Sequence, residues 1–183
     1  ETVDKAVRYP FGYGLSYTTF AYSDLKVNAD HVTFTLTNTG KRDGAEVAQL
    51  YVAKTDAMVF RPAKELKGFA KVFLKAGESK TVTIPLDDKA FRYWNVLTDR
   101  WEVEGGSYRI LVGASVQDIR LSAELALPDT GAPDPYAGKA LPDYYTGNVQ
   151  NIPDVEFETL LGRSVPKEKT AIDRTMTLGE LHH

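Results

Sequence analysis

The hydrophobic positions of this chain recur mostly with a period of two. In His31–Asn38, the residues Val32, Phe34 and Leu36 fall on one side and Thr33, Thr35 and Thr37 on the other, the pattern of a strand with one buried face. Lys80–Leu86 alternates likewise, with Val82, Ile84 and Leu86 against Thr81, Thr83 and Pro85. Ala45–Ala53 differs, because Val47, Gln49 and Tyr51 oppose Ala48, Leu50 and Val52 and both sides are largely apolar. Such a strand is expected in the middle of a sheet. Thr19–Val27, Lys64–Leu74, Ser107–Gly113 and Ile119–Leu127 read as further strands, and Ala90–Val96 with Trp101–Val103 as a pair about the turn Leu97–Arg100. Turn clusters such as Thr39–Gly44, Lys75–Glu78 and Glu104–Gly106 separate them. Short strands at regular spacing, with no convincing helix among them, predict an all-β antiparallel two-sheet sandwich over residues 19–127.

Residues 1–18 form a lead-in without amphipathic pattern until Tyr9, where Pro10, Phe11, Gly12, Tyr13, Gly14, Leu15, Ser16 and Tyr17 follow one another. Pro10 presets an extended backbone, Gly12 and Gly14 allow tight turns or close approach, and the aromatics bring large apolar area with polar tips. This make-up fits a turn leading into a sandwich and, equally, a segment that docks on another surface. Beyond Leu127 the alternation stops, and six of the nine prolines lie from Pro128 onward. Residues 128–153 are therefore expected to form neither a strand ladder nor a helix. Their Tyr136, Leu141, Tyr144 and Tyr145 are more than an indifferent linker needs and point to a segment that wraps over a surface. Asp154–Gly162 reads as a short helix over about 154–161, with Asp154 as its N-cap and Gly162 past its C-terminus. Thr175–Leu181 opens another periodic run inside the proline-rich extension of residues 128–183.

Four stretches carry a resemblance beyond the pattern. Pro10–Phe20, Ala48-Gln49-Leu50-Tyr51-Val52, Pro62-Ala63-Lys64-Glu65-Leu66-Lys67-Gly68-Phe69 and Gly106-Ser107-Tyr108-Arg109-Ile110-Leu111-Val112-Gly113 occur in this order over about residues 8–127. Together they resemble the C-terminal fibronectin type III-like domain of glycoside hydrolase family 3, the group of β-glucosidases and β-xylosidases. The resemblance implies a non-catalytic accessory domain of a retaining, exo-acting β-glycosidase, with β-glucosides as the foremost substrates. The partners it implies are the catalytic domains of the same polypeptide, met through Pro10–Tyr17. In that family the nucleophilic aspartate belongs to a barrel domain and the acid/base glutamate to an α/β domain. Neither motif matches any position here, so no catalytic residue is carried over. The ends read as those of a piece of a longer polypeptide, with Glu1 in place of a methionine and His182-His183 like the remains of a purification tag. Such a piece would expose an apolar patch around Phe11, Tyr13, Leu15 and Tyr17 and self-associate through it.

Composition narrows the chemistry. A net charge of −3 offers no basic field for phosphates, which excludes nucleic acid as a partner. There is no cysteine, hence no disulfide, thiolate zinc site or cysteine nucleophile. No apolar run approaches the ~18 residues of a membrane span, and no signal-peptide pattern opens the sequence, which leaves cytoplasm and secretion both open. Glycoside hydrolysis needs two carboxyl groups flanking the bond. The acidic residues here mostly sit in turns (Asp43, Asp87, Asp88, Asp99) or on exposed strand positions. His31 lies among threonines, Gly12-Tyr13-Gly14 lacks the Lys-Ser/Thr of a phosphate loop, and Asp129, Asp134 and Asp143 are too scattered for calcium. No metal or cofactor is expected. The alternative to the accessory-domain reading is an independent carbohydrate-binding module, with Tyr93, Trp94, Trp101 and Tyr108 as a stacking platform and Trp94 and Trp101 as its contacts. The first expectation for these four aromatics is the sandwich core, although Trp94 and Trp101 flank a turn where either role is open.

Overall fold

The computed structural model describes residues 5–87, 89–147 and 150–166. Its first compact unit ends at Ala137 and the second begins at Gly138. In the first, β1 (Phe20–Val27), β2 (His31–Asn38) and β5 (Ser79–Pro85) form one antiparallel sheet in the order β1-β2-β5. β3 (Gly44–Ala53), β4 (Glu65–Leu74), β8 (Gly106–Gly113) and β9 (Ile119–Leu127) form the other, in the order β4-β3-β8-β9. β6 (Arg92–Asn95) and β7 (Arg100–Val103) make a separate hairpin inserted between β5 and β8. The predicted sandwich is present, and β3 lies inside its sheet as the two-sided apolar pattern required.

The core is what alternation on facing strands produces. Val32, Phe34 and Leu36 of β2, Val82 and Ile84 of β5, Ala48, Leu50 and Val52 of β3, and Tyr108, Ile110 and Val112 of β8 are all buried in one cluster. In β1 the inward set changes phase, from Phe20 and Tyr22 to Leu25 and Val27. The cause is a bulge between Ser23 and Lys26, with Asp24 at φ 57°. The extra residue returns Leu25 and Val27 to the core face that strict alternation would deny them. Gly68 of β4 leaves no room for a side chain against the facing sheet, since a Cβ there would stand 2.6 Å from Ile84 Cγ2.

Two buried polar groups fasten loops to this core. Asn38 donates to the carbonyls of Arg42 (2.8 Å) and Leu74 (3.2 Å) while its Oδ1 accepts from the Thr18 hydroxyl at 2.7 Å. Tyr108 Oη donates to the Glu104 carbonyl four residues upstream at 2.7 Å. A tyrosine at the start of this strand, bonded back across the corner that enters it, is the tyrosine corner of immunoglobulin-like sandwiches. Burial, the largest influence, pushes the Tyr108 phenol up to about 12.

Glu46 gives the fold a pH dependence. Its carboxylate accepts from Tyr22 Oη at 2.9 Å, but burial outweighs this bond and the Arg120 charge and raises it above the ordinary value of 4.5. A carboxyl raised on folding contributes stability that is complete below the unfolded value and is lost as pH rises through the folded one. Glu46→Gln is therefore expected to flatten the fall in stability between acid and neutral pH while keeping an acceptor for Tyr22. Urea melts of both proteins across that range check it; parallel curves would show that Glu46 titrates alike in both states.

The extension differs from expectation in two places. Residues 128–153 were expected to hold no helix, yet α1 spans Pro142–Thr146. Pro142 occupies its first turn, the one helical place where a missing N–H costs nothing. α2 runs Asp154–Leu161, but its N-cap is Pro153 and no side chain caps it, so Asp154 lies inside the first turn. There its charge still favours the helix dipole. Gly162 closes α2 at φ 71°, as its position implied. Thr175–Leu181 lies outside the described residues. Among the described residues, no helix is long and apolar enough to cross a membrane.

Candidate functional site

The lead-in is held by its backbone and turns its side chains outward. The carbonyl of Pro10 accepts from the Tyr13 amide at 3.0 Å, closing a turn in which Gly12 adopts φ 79°. That left-handed conformation is open to glycine and strained for other residues. The turn lies on the outer face of the four-stranded sheet, away from the sandwich core. Here Gln49, almost fully buried, donates from Nε2 to the carbonyls of Gly12 (3.0 Å) and Ala114 (2.7 Å), and its Oε1 accepts from Tyr51 Oη. The Val116 amide donates to the Phe11 carbonyl at 3.0 Å. Beneath lies a second apolar cluster of Tyr51, Ala53, Leu111 and Val116, with Ile119 packed against it. Thus Gln49, which reads as one more strand residue, is the post on which the lead-in is mounted.

Phe11, Tyr13, Leu15 and Tyr17 are all exposed, Leu15 at 88% and Tyr17 at 93%. Tyr9 and Tyr13 touch at 5.3 Å between ring centroids. A cleft of about 310 Å³ on one side of Pro10 is bounded by Val7, Phe11, Lys64 and Val116. Another of about 420 Å³ is bounded by Tyr13, Gly14, Ser115 and Asp118. Gly14 and Ser16 border a third, beside Ala45 and Val47. The structure therefore brings Pro10–Tyr17 together as one surface rather than burying it.

The four aromatics of the alternative platform part company. Tyr108 is core, which removes it from any platform. Tyr93 is half-buried, with the Arg61 guanidinium 5.6 Å from its ring centroid. Trp94 and Trp101, for which the core was expected, are instead 46% and 57% exposed. They are directly paired across the β6–β7 hairpin, which lies outside both sheets, so alternation there does not decide what faces the core. Their rings meet edge to face, centroids 5.5 Å apart and planes at 76°, with Arg92 5.7 Å from the Trp101 centroid. The hairpin is firmly held. Asn95, fully buried, donates to the Pro133 carbonyl at 2.8 Å and accepts from the Leu97 amide at 2.9 Å.

The carboxylates are dispersed. Asp43 accepts from the Ala76 amide and Asp87 from the Lys89 amide, both at turns. Asp99 occupies a left-handed position in the β6–β7 turn, and Asp88 lies outside the described residues. Glu104 is buried beside Arg61, Nε to Oε2 3.8 Å, and its Oε1 accepts from the Met58 amide. It pins the loop before β4. His31 is bonded to Asp30 at 2.7 Å and Asn28 at 3.0 Å on the strand surface. Among the described residues, no group of three or more His, Cys, Asp or Glu is gathered to hold a metal ion.

Comparison with known proteins agrees with this architecture. The family model of the fibronectin type III-like domain matches residues 46–116, from β3 to the loop after β8. The chain is 51% identical over 140 residues to an exo-α-(1→6)-L-arabinopyranosidase of Bifidobacterium longum, covering 74% of this chain and 18% of that protein. It is 46% identical over 130 residues to thermostable β-glucosidase B of Acetivibrio thermocellus, covering 67% and 17%. The crystal structure of a GH3 β-glucosidase from Bifidobacterium adolescentis superposes with a TM-score of 0.68 at 51% identity, over 72% of this chain and 20% of that one. The chain thus spans about a fifth of the length of these relatives. With its sandwich topology, its tyrosine corner and these matches, the chain belongs to the fibronectin type III-like domains carried by glycoside hydrolase family 3 enzymes.

Proposed function

We propose that this domain is a non-catalytic brace of a family 3 β-glycosidase, docking on the catalytic domains of the same polypeptide through Pro10–Tyr17. The observation that carries this reading is the contrast between a backbone anchored by Gln49 and Val116 and apolar side chains left in solvent. A fixed backbone has already given up its conformational freedom, so side chains on it meet a partner at little further entropic expense. The parent enzyme would be a retaining, exo-acting glycosidase acting foremost on β-glucosides. Relatives of equal identity include one named as an arabinopyranosidase and one as a β-glucosidase, which fits a domain that does not itself select the sugar. Replacing Leu15 and Tyr17 together by serine is expected to leave the melting of the isolated chain unchanged, because both are solvated there. In the whole polypeptide the same pair is expected to lower the temperature of thermal inactivation. An unchanged inactivation temperature would remove these side chains from the interface.

A second reading, sugar contact through the hairpin, is favoured by the exposure of Trp94 and Trp101. Their edge-to-face packing and the Arg92 contact leave less free ring face than a stacking platform offers. Calorimetric titration of the chain with cello-, xylo- and laminari-oligosaccharides is expected to give no heat. Saturable binding lost in Trp94→Ala or Trp101→Ala would establish the module reading instead.

A further inference from the structure

The outer face of the four-stranded sheet is divided. On its β9 half it presents Ser122 and Glu124, an ordinary solvated surface. On its β4 half it presents Phe69, 67% exposed, and Phe73, 56% exposed, with Lys71 between them. Register places these beside β3, with Phe69 opposite Gln49, Lys71 opposite Val47 and Phe73 opposite Ala45. Val47 and Leu66 are also exposed. β4 is an edge strand, where sandwiches normally carry charges and avoid large apolar side chains. Nor does packing explain the two phenylalanines, since Ala70, Val72 and Leu74 already face inward.

This apolar half-face continues into the lead-in. Leu15 and Val47 line one cleft, together with Gly12, Gly14, Ser16 and Ala45. From Leu15 the surface runs through Val47 to Phe69 and Phe73 across adjoining positions. We infer that the β3–β4 outer face, centred on Phe69 and Phe73, is the second half of the docking surface. Its occupant is the remainder of the same polypeptide, through an apolar patch carrying a carboxylate opposite Lys71. The inference rests on the docking reading of Pro10–Tyr17. Two observations commit it to that occupant. The chain matches only 17–20% of the length of these relatives, so most of such a polypeptide lies outside it. The bare face also adjoins the anchored lead-in, while the β9 half of the same sheet is polar.

The test is hydroxyl-radical footprinting of Tyr17, Phe69 and Phe73 in the isolated chain at high dilution, in the isolated chain at raised concentration, and in the whole polypeptide. All three residues are expected to oxidise readily in the dilute chain and to be protected severalfold in the whole polypeptide. Protection of Tyr17 with Phe69 and Phe73 still reactive would overturn the sheet-face inference and leave lead-in docking intact. Protection of the phenylalanines alone would uphold the sheet face and displace the lead-in. No protection of any of them would overturn both. Protection that arises in the isolated chain as its concentration rises, and is no greater in the whole polypeptide, would assign the face to a second copy and overturn the proposed occupant.

Discussion

Removing the Tyr108 hydroxyl is expected to destabilise the sandwich more than its single bond would indicate. Tyr108→Phe keeps the ring against Phe91, where the two meet edge-on at 5.1 Å, but leaves the Glu104 carbonyl without its donor in a buried corner. An acceptor stranded in this way costs about 1–3 kcal/mol. Tyr108→Ala removes the ring as well and is expected to cost about 3–5 kcal/mol, a large part of the stability of an ordinary domain. Urea unfolding of the two variants checks both figures. Near-wild-type stability of Tyr108→Phe would mean that water reaches the Glu104 carbonyl. The corner has a wider reach, because Glu104 also holds the Met58 amide and lies beside Arg61. The loop ahead of β4 and the root of the hairpin are therefore expected to gain hydrogen exchange together in these variants.

Gln49→Leu is the second large effect, and it connects stability to the surface proposed for docking. Leucine keeps the apolar volume but strands the carbonyl of Ala114, removes the Oε1 acceptor of the Tyr51 hydroxyl, and releases the Gly12 carbonyl. The expected cost is on the order of 2–4 kcal/mol. The lead-in is expected to detach, seen as faster exchange of the Val116 and Tyr13 amides, which donate to the Phe11 and Pro10 carbonyls. Gly12→Ala attacks the same joint from the other side, through its positive φ and a Cβ that would collide with the Gln49 amide. Exchange at Val116 that stays as slow as in the parent would show that the lead-in holds its place without Gln49.

Where a strand belongs to one of the two sheets and buries one face, its residues announce it. β2 and β5 are legible in this way because a one-residue slip would put threonines in the core and valine, isoleucine and phenylalanine in water. β3 was legible as a central strand because both of its faces are apolar. The Asp24 bulge was not legible, since the phase change it makes in β1 pays off only against β2. α1 was missed because the prolines around it argue against a helix interior, while Pro142 occupies the first turn. The exposed lead-in could be anticipated from its aromatics and glycines. The post that holds it could not, because Gln49 is 37 residues away in sequence.

The inside and outside positions of the aromatics divide the two sources of information most clearly. Tyr108, Trp94 and Trp101 are alike as large aromatics in short strands, yet the first is buried and the other two face solvent. The difference lies in sheet membership: β8 faces β2 and β5 across the core, whereas the β6–β7 hairpin stands outside both sheets. In β4, Phe69, Lys71 and Phe73 alternate with Ala70, Val72 and Leu74, and apolarity alone does not choose between the two sets. Pairing with β3 chooses, by turning Ala70, Val72 and Leu74 to the core. By itself the sequence determined the strands and the sandwich, because burial of alternating side chains is a local demand repeated along the chain. Only the tertiary structure decided which apolar residues remain uncovered, because that depends on what stands opposite each face.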